Sequence, residues 1–330
     1  MQANLDAVRA WDRSKLVGQE RWNYDLATWF YTTQIDLMRF DWAPAWLPVG
    51  ATTYAVDQLF SIPVTLPQFL DNNHAVTDET SARNYIARLG AAATKLDQVR
   101  ANFDMQASQG VVPPQIALEG AATQIRALLK PAPADSVFVQ SLRRKLGKVA
   151  SIAPAQRETL LAQAASAVGE QTNPAYARLL ARLDDVIATR PGNRGVWALP
   201  DGKAFYDAAL RWNTSTDLDA DAIHRIGLDE VARIDKEMDA LLVRQGLREG
   251  TVGERMQALN KDPRFLYADS EAGRAELVAD IQRSLDKLQP RIPDYFGRVP
   301  TQRLEVRTVP VQAQATAPGG YYSPPAMDRS

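Results

Sequence analysis

Few residues in this sequence have side chains able to do chemistry. There are two histidines, His74 and His224, and no cysteine, which excludes thiolate zinc sites, cysteine nucleophiles and a disulfide framework. A peptidase zinc site takes three protein ligands, usually two histidines one helical turn apart with a glutamate beside the first. His74 and His224 are far apart and are followed by Ala75 and Arg225. Residues 1–330 therefore supply no metal ligands of that kind. The sequence also lacks a G-x-S-x-G elbow, a phosphate-cradling loop and a dinucleotide glycine fingerprint. His224 follows Asp221 by three positions. An imidazole oriented by that carboxylate serves either as a proton shuttle or substrate contact, or as a structural histidine bonded to it. His74, beside Asn72 and Asn73, reads as a contact between a loop and a helix. Asp229, Glu230, Asp235, Glu237 and Asp239 alternate with Arg225, Arg233 and Lys236 at helical spacing, which reads as a solvated, ion-paired face and not a metal cluster. Gly319-Gly320-Tyr321-Tyr322, followed by Ser323-Pro324-Pro325, joins a backbone that can approach a ligand closely to two hydroxyls able to polarise a carbonyl. An ordinary turn before a strand is the other reading, and the residues leave both open.

The element that must position most of these groups runs over 219–242. Ile223, Ile226, Gly227, Val231, Ile234, Met238, Leu241 and Leu242 fall on one helical stripe, and the residues between them are mostly charged. Asp219 is the expected N-cap, with Asp221 at the positive end of the helix dipole. At about 25 residues such a helix spans roughly 37 Å, so other helices are expected to pack along it.

The remaining pattern is mainly α, a multi-helix antiparallel array with a small β element near the C-terminus. Residues 1–60 form an aromatic-rich helical segment containing Trp11, Trp22, Trp29, Trp42 and Trp46. It reads as a packed helix interface more than as a sugar- or peptide-stacking surface. Residues 61–190 form a helical array. Its opening stretch, Ser61 to Phe69, holds two prolines and reads as a connector. Helices are expected over 78–106, capped by Thr77, over 115–129, from a cap at Asp135 or Ser136 to about 150, over 154–168, and over 173–189. The glycine- and proline-rich run 190–203 marks a boundary, and 191–298 is a second helical part carrying the 219–242 spine. Residues 299–330 begin a β region. Arg303 to Val311 alternates as a half-buried edge strand that needs partners from beyond Ser330.

Composition narrows the partners. Lys plus Arg number 38 against 39 Asp plus Glu, with a pI near 6.2, so no broad positive field collects nucleic acid. No apolar run reaches the length of a membrane span, and the first twenty or so residues lack the apolar core of a signal peptide. The opening Met-Gln falls inside an amphipathic helix without a cap, so the natural start is expected upstream. Oligomeric state is not written in the sequence.

Four stretches, LPQFLDNNHAVTDETSARNYIARL (66–89), GVVPPQIAL (110–118), LPDGKAFYDAALRWNTSTDLDADAIHRIGLDEVARI (199–234) and GGYYSPPAMDRS (319–330), resemble the bacterial family called domain of unknown function 885. That family is similar to the zinc metallopeptidases of the gluzincin clan. The resemblance implies a hydrolase of peptide substrates in which zinc-bound water is the nucleophile and a glutamate the base. Its His-Glu segment would follow the strand that GGYYSPP introduces. Residues 1–330 would then be a helical cleft wall, inactive alone, without catalytic or metal-binding residues of its own and with no cofactor, zinc being expected in the full-length protein. Gly319, Gly320, Tyr321, Tyr322 and His224 become candidates to line the substrate cleft. The family also implies export, to the periplasm or as a lipoprotein. The alternative is a helical scaffold or ligand-binding module with no enzymatic activity.

Overall fold

Polar caps and prolines set where the helices begin. The computed structural model describes residues 1–40, 42, 54–190, 192–299, 304–309, 319, 320 and 322. Among these the protein is mainly α, and its contacts divide it into two units, 1–218 with 311–330, and 219–310.

The first unit contains α1 (Gln2–Arg9), α2 (Gln19–Met38), α3 (Ile62–Asn73), α4 (Glu79–Ser108), α5 (Gln115–Leu129), α6 (Val137–Leu146), α7 (Pro154–Ala167), α8 (Asn173–Thr189) and α9 (Gly202–Thr214). The α4 cap lies one residue later than the expected Thr77. Asp78 accepts from the Ser81 N–H at 2.7 Å, and the Ser81 hydroxyl accepts from the Asp78 N–H at 3.0 Å. Serine thus closes a capping box in the position where Glu or Gln is usual.

Two stretches depart from the expected loops. Residues 62–69 are not a connector but the body of α3. Pro63 sits in the first turn, where no N–H is needed. Pro67, inside the helix, lacks the N–H that would reach the Pro63 carbonyl four residues back. That carbonyl instead accepts the Tyr176 hydroxyl at 2.8 Å. The chain also makes no loop between α7 and α8. Residues Val168–Thr172 form a π-turn, and the backbone stays helical at Ala167, Val168, Thr172 and Asn173. A π-turn absorbs one extra residue, which suits the missing N–H of Pro174. The Thr172 hydroxyl donates to the Leu89 carbonyl of α4 at 3.0 Å.

The resulting continuous run, 154–189, lies parallel to α4. Gln156 reaches Glu79, Arg178 pairs with Asp97 at 2.6 Å, and Arg182 with Asp104 at 2.5 Å, a steady register along both helices. α5 runs antiparallel to α8, because Arg126 pairs with Asp184 while the Gln115 N–H reaches the Gly192 carbonyl. Tyr85, Leu89, Leu96, Val99 and Phe103 of α4 meet Leu118, Ile125, Tyr176, Leu179 and Leu183 in the main core. The exposed ion pairs contribute at most about 1 kcal/mol each, so the core holds this packing and the pairs fix its register. A second core packs α2 against α9. Trp29 stacks on Trp212 with ring centres 5.2 Å apart, and Phe40, Trp42 and Phe205 fill the rest. The aromatic-rich N-terminus is thus largely a packed interface, although Trp11 and Trp22 are exposed and Trp46 lies outside the described residues.

The second unit contains α10 (Ala220–Arg244), α11 (Val252–Leu259) and α12 (Glu271–Leu288). α10 starts as its sequence dictates, with Asp219 accepting from the Ala222 N–H at 2.7 Å. Arg233 bridges Glu230 and Glu237, both at 2.7 Å, so the charged face is ion-paired. Among the described residues of this unit, the expected packing along the stripe is not there. Leu242 is the only buried residue of α10, while Ile226, Val231, Ile234 and Leu241 are each at least 43% exposed. α11 covers only the C-terminal end, where Arg255 donates to Asp239 at 2.5 Å and to the Leu247 carbonyl at 3.1 Å. The expected β element over about 303–311 is described only at 304–309, and those residues form no strand. The Gln282 side chain holds them, donating to the Leu304 carbonyl at 3.1 Å and accepting from the Val306 N–H at 3.1 Å. Those are the two groups that one residue of a parallel neighbouring strand would take.

Candidate functional site

The densest polar cluster in the first unit gathers where α3 ends against α4 and α6. Four carbonyls at a helix C-terminus lack intrahelical partners, and here Lys145 serves two groups of that end, donating to Leu70 at 2.9 Å and His74 at 2.5 Å. Asp71 accepts from Ser141 at 2.6 Å and Arg144 at 2.8 Å. His74 is buried, with Nε2 2.9 Å from the Ser81 carbonyl and Nδ1 2.9 Å from Arg88 Nη1. A guanidinium only donates, so Nδ1 is the acceptor and the ring proton sits on Nε2. Burial pushes the imidazole pKa down, and the Arg88 and Lys145 charges push the same way against the Ser81 bond. Tyr85 meets the ring edge-on at 5.1 Å and donates to the Phe138 carbonyl at 3.0 Å, and burial pushes its hydroxyl up to about 12. Burial likewise lowers the Lys145 pKa.

The chemistry of this cluster is positional. A neutral imidazole with both nitrogens committed has no lone pair for a metal and no open route for a proton. His74 is therefore the loop-to-helix contact that its setting suggests. Sequence reasoning found the histidine but not Arg88 or Lys145 as its partners, because residues 14 and 71 positions away leave no local signal.

His224 is exposed near the start of α10, and among the described residues its side chain makes no hydrogen bond, to Asp221 or otherwise. Gly319, Gly320 and Tyr322 are exposed, and Tyr321 lies outside the described residues. Among the described residues no three His, Asp or Glu side chains are close enough together to hold a metal.

One depression of about 570 Å³ lies beside the π-turn, lined by Ile86, Thr159, Ala162, Gln163, Ser166, Ala167 and Gln171. The Gln171 side chain lies across Gly90, where a Cβ would meet its Oε1 at 2.6 Å. It offers hydroxyls and amides over a small apolar floor, with no charged group.

Residues 1–330 match the family described as bacterial protein of unknown function, DUF885. The chain belongs to this family. A solved structure with the same fold is 34% identical, with a TM-score of 0.79: the crystal structure of the putative lipoprotein from Colwellia psychrerythraea. The match covers 86% of this chain but only 48% of that one, so this DUF885 chain spans about half the neighbour's length. None of the curated proteins matches the chain. No helix among the described residues is long and apolar enough to cross a membrane.

Proposed function

We propose that this chain is the non-catalytic helical portion of an exported zinc-dependent hydrolase of peptides, forming one wall of its substrate cleft. Membership of DUF885 supports the reading through that family's similarity to gluzincin peptidases, and the neighbour's description as a lipoprotein supports export. The observation that carries the supporting role is the fate of the histidines. His74 has both nitrogens engaged in the fold, which leaves His224 alone, and one histidine does not make a catalytic zinc site. In this reading the reactive centre lies in the part of a neighbour-length polypeptide that 1–330 does not span. Gly319, Gly320, Tyr321 and Tyr322 lead the chain into it, and His224 is a further cleft candidate.

The test is peptide-library hydrolysis by residues 1–330 beside a polypeptide extended to the neighbour's length. The extended form is expected to cleave peptides in a chelator-sensitive way, and 1–330 to be inactive. Turnover by 1–330 alone would overturn the assignment. The depression beside the π-turn favours a second reading, a ligand-binding module, and absence of turnover in both polypeptides would select it.

A further inference from the structure

We infer that the apolar stripes of α10 and α12 are the seat of the unmatched half of a neighbour-length polypeptide, so that the second unit completes its core only when that half is present. The inference rests on the proposal that 1–330 is part of a longer chain, and it adds which surface holds the two parts together.

The first observation is burial. Among the described residues of 219–310, only Leu242, Arg255 and Gly273 are buried. Ordering a chain against its conformational entropy takes a buried apolar core, and three residues, one of them an arginine, do not make one. The second observation is pattern. Ile223, Val231, Ile234, Met238 and Leu241 occupy one face of α10, flanked on one side by Ile226 and the Glu230–Arg233–Glu237 ion pairs. On α12, Leu277, Val278, Ile281, Leu285 and Leu288 repeat the arrangement, with Leu277, Ile281 and Leu288 between 39% and 55% exposed. Two amphipathic helices of 25 and 18 residues, each well capped, specify helix firmly while leaving their apolar faces open. Exposed apolar surface on this scale marks an interface.

The third observation names the occupant. The neighbour shares 34% identity and the fold over 86% of this chain, yet 52% of its own length lies outside the match (100 − 48). Such a polypeptide carries as much chain again, and the second unit is the part of 1–330 that lacks a core. The residues 304–309, whose Leu304 carbonyl and Val306 N–H are held by the amide of Gln282, belong to that same unit and suit the margin of the same interface.

Hydrogen exchange on 1–330 and on the extended polypeptide tests this. In 1–330, amides of 220–244 and 271–288 are expected to exchange at least about a hundredfold faster than those of α4 and α8, as helices without a packed face do. In the extended polypeptide they are expected to slow to the level of α4 and α8. Ile234→Glu is expected to leave exchange in 1–330 unchanged and to return 220–244 of the extended form to fast exchange. Three results would overturn the inference: slow exchange already in monomeric 1–330, slowing that tracks the concentration of 1–330 and so reports a second copy, or fast exchange that persists on extension. Exchange does not depend on turnover, so an inactive extended polypeptide that protects both helices would defeat the hydrolase reading and leave this one standing.

Discussion

Tyr176→Phe removes one oxygen from the main core and tests how α3 tolerates an internal proline. Pro67 cannot donate to the Pro63 carbonyl, and the Tyr176 hydroxyl, fully buried, takes that role at 2.8 Å. Burial raises the Tyr176 pKa, so the hydroxyl remains a donor at any pH at which the protein is handled. Phenylalanine keeps the ring and its packing, so the loss is confined to the hydrogen bond. Leaving a buried carbonyl without a partner costs on the order of 1–3 kcal/mol, and for a unit of this size each kcal/mol lowers the melting temperature by about 2–4 °C. In a Pro67→Ala background the new N–H at 67 reaches the same carbonyl, so Tyr176→Phe is expected to lose most of its effect, a coupling of about 1–2 kcal/mol. The assay is a four-member cycle in urea, read by circular dichroism and tryptophan fluorescence at constant slope. A cost for Tyr176→Phe below about 0.5 kcal/mol, or one equal in both backgrounds, would refute the reasoning.

Four further outcomes follow from the same structure. His74 is neutral in the fold with its pKa depressed. Between that value and about 6.5 the unfolded chain binds the extra proton, so the urea midpoint of the first unit is expected to fall as pH drops through this window. His74→Gln is expected to flatten that slope, and an unchanged slope would contradict the assignment of His74 as the titrating group. Lys145→Met leaves the Leu70 and His74 carbonyls without their donor, with an expected loss of about 1–3 kcal/mol by urea denaturation. Trp212→Ala removes the ring that Trp29 stacks on and is expected to cost about 3–5 kcal/mol, with α9 and α2 losing exchange protection together. Arg233→Ala touches only exposed carboxylates and is expected to change stability by less than about 1 kcal/mol in the same assay.

Sequence revealed most where the signals are local. Pro154, Asn173-Pro174 and Gly110 through Pro114 bound their helices closely, and Asp219 caps α10 because a cap needs only the next turn. α3 was hidden because its prolines are read locally as breakers, whereas the Tyr176 hydroxyl that compensates for Pro67 lies 113 residues from the Pro63 carbonyl it serves. The π-turn was hidden for a related reason, since Asn173-Pro174 marks a helix start whether or not the preceding backbone leaves the helix. The α10 stripe was legible as an apolar face, but what covers it is not encoded in the same segment. The candidate site was legible only as residue types. His74 was found without Arg88 and Lys145.

The account's central claim is that 1–330 supports a reactive centre it does not contain. Zinc content by elemental analysis of purified 1–330, after dialysis against a weak chelator and back-titration with zinc, tests it most directly. Far less than one zinc per chain, with only weak binding on titration, is the predicted result. One tightly held zinc per chain, lost on substituting His74 or His224, would contradict it.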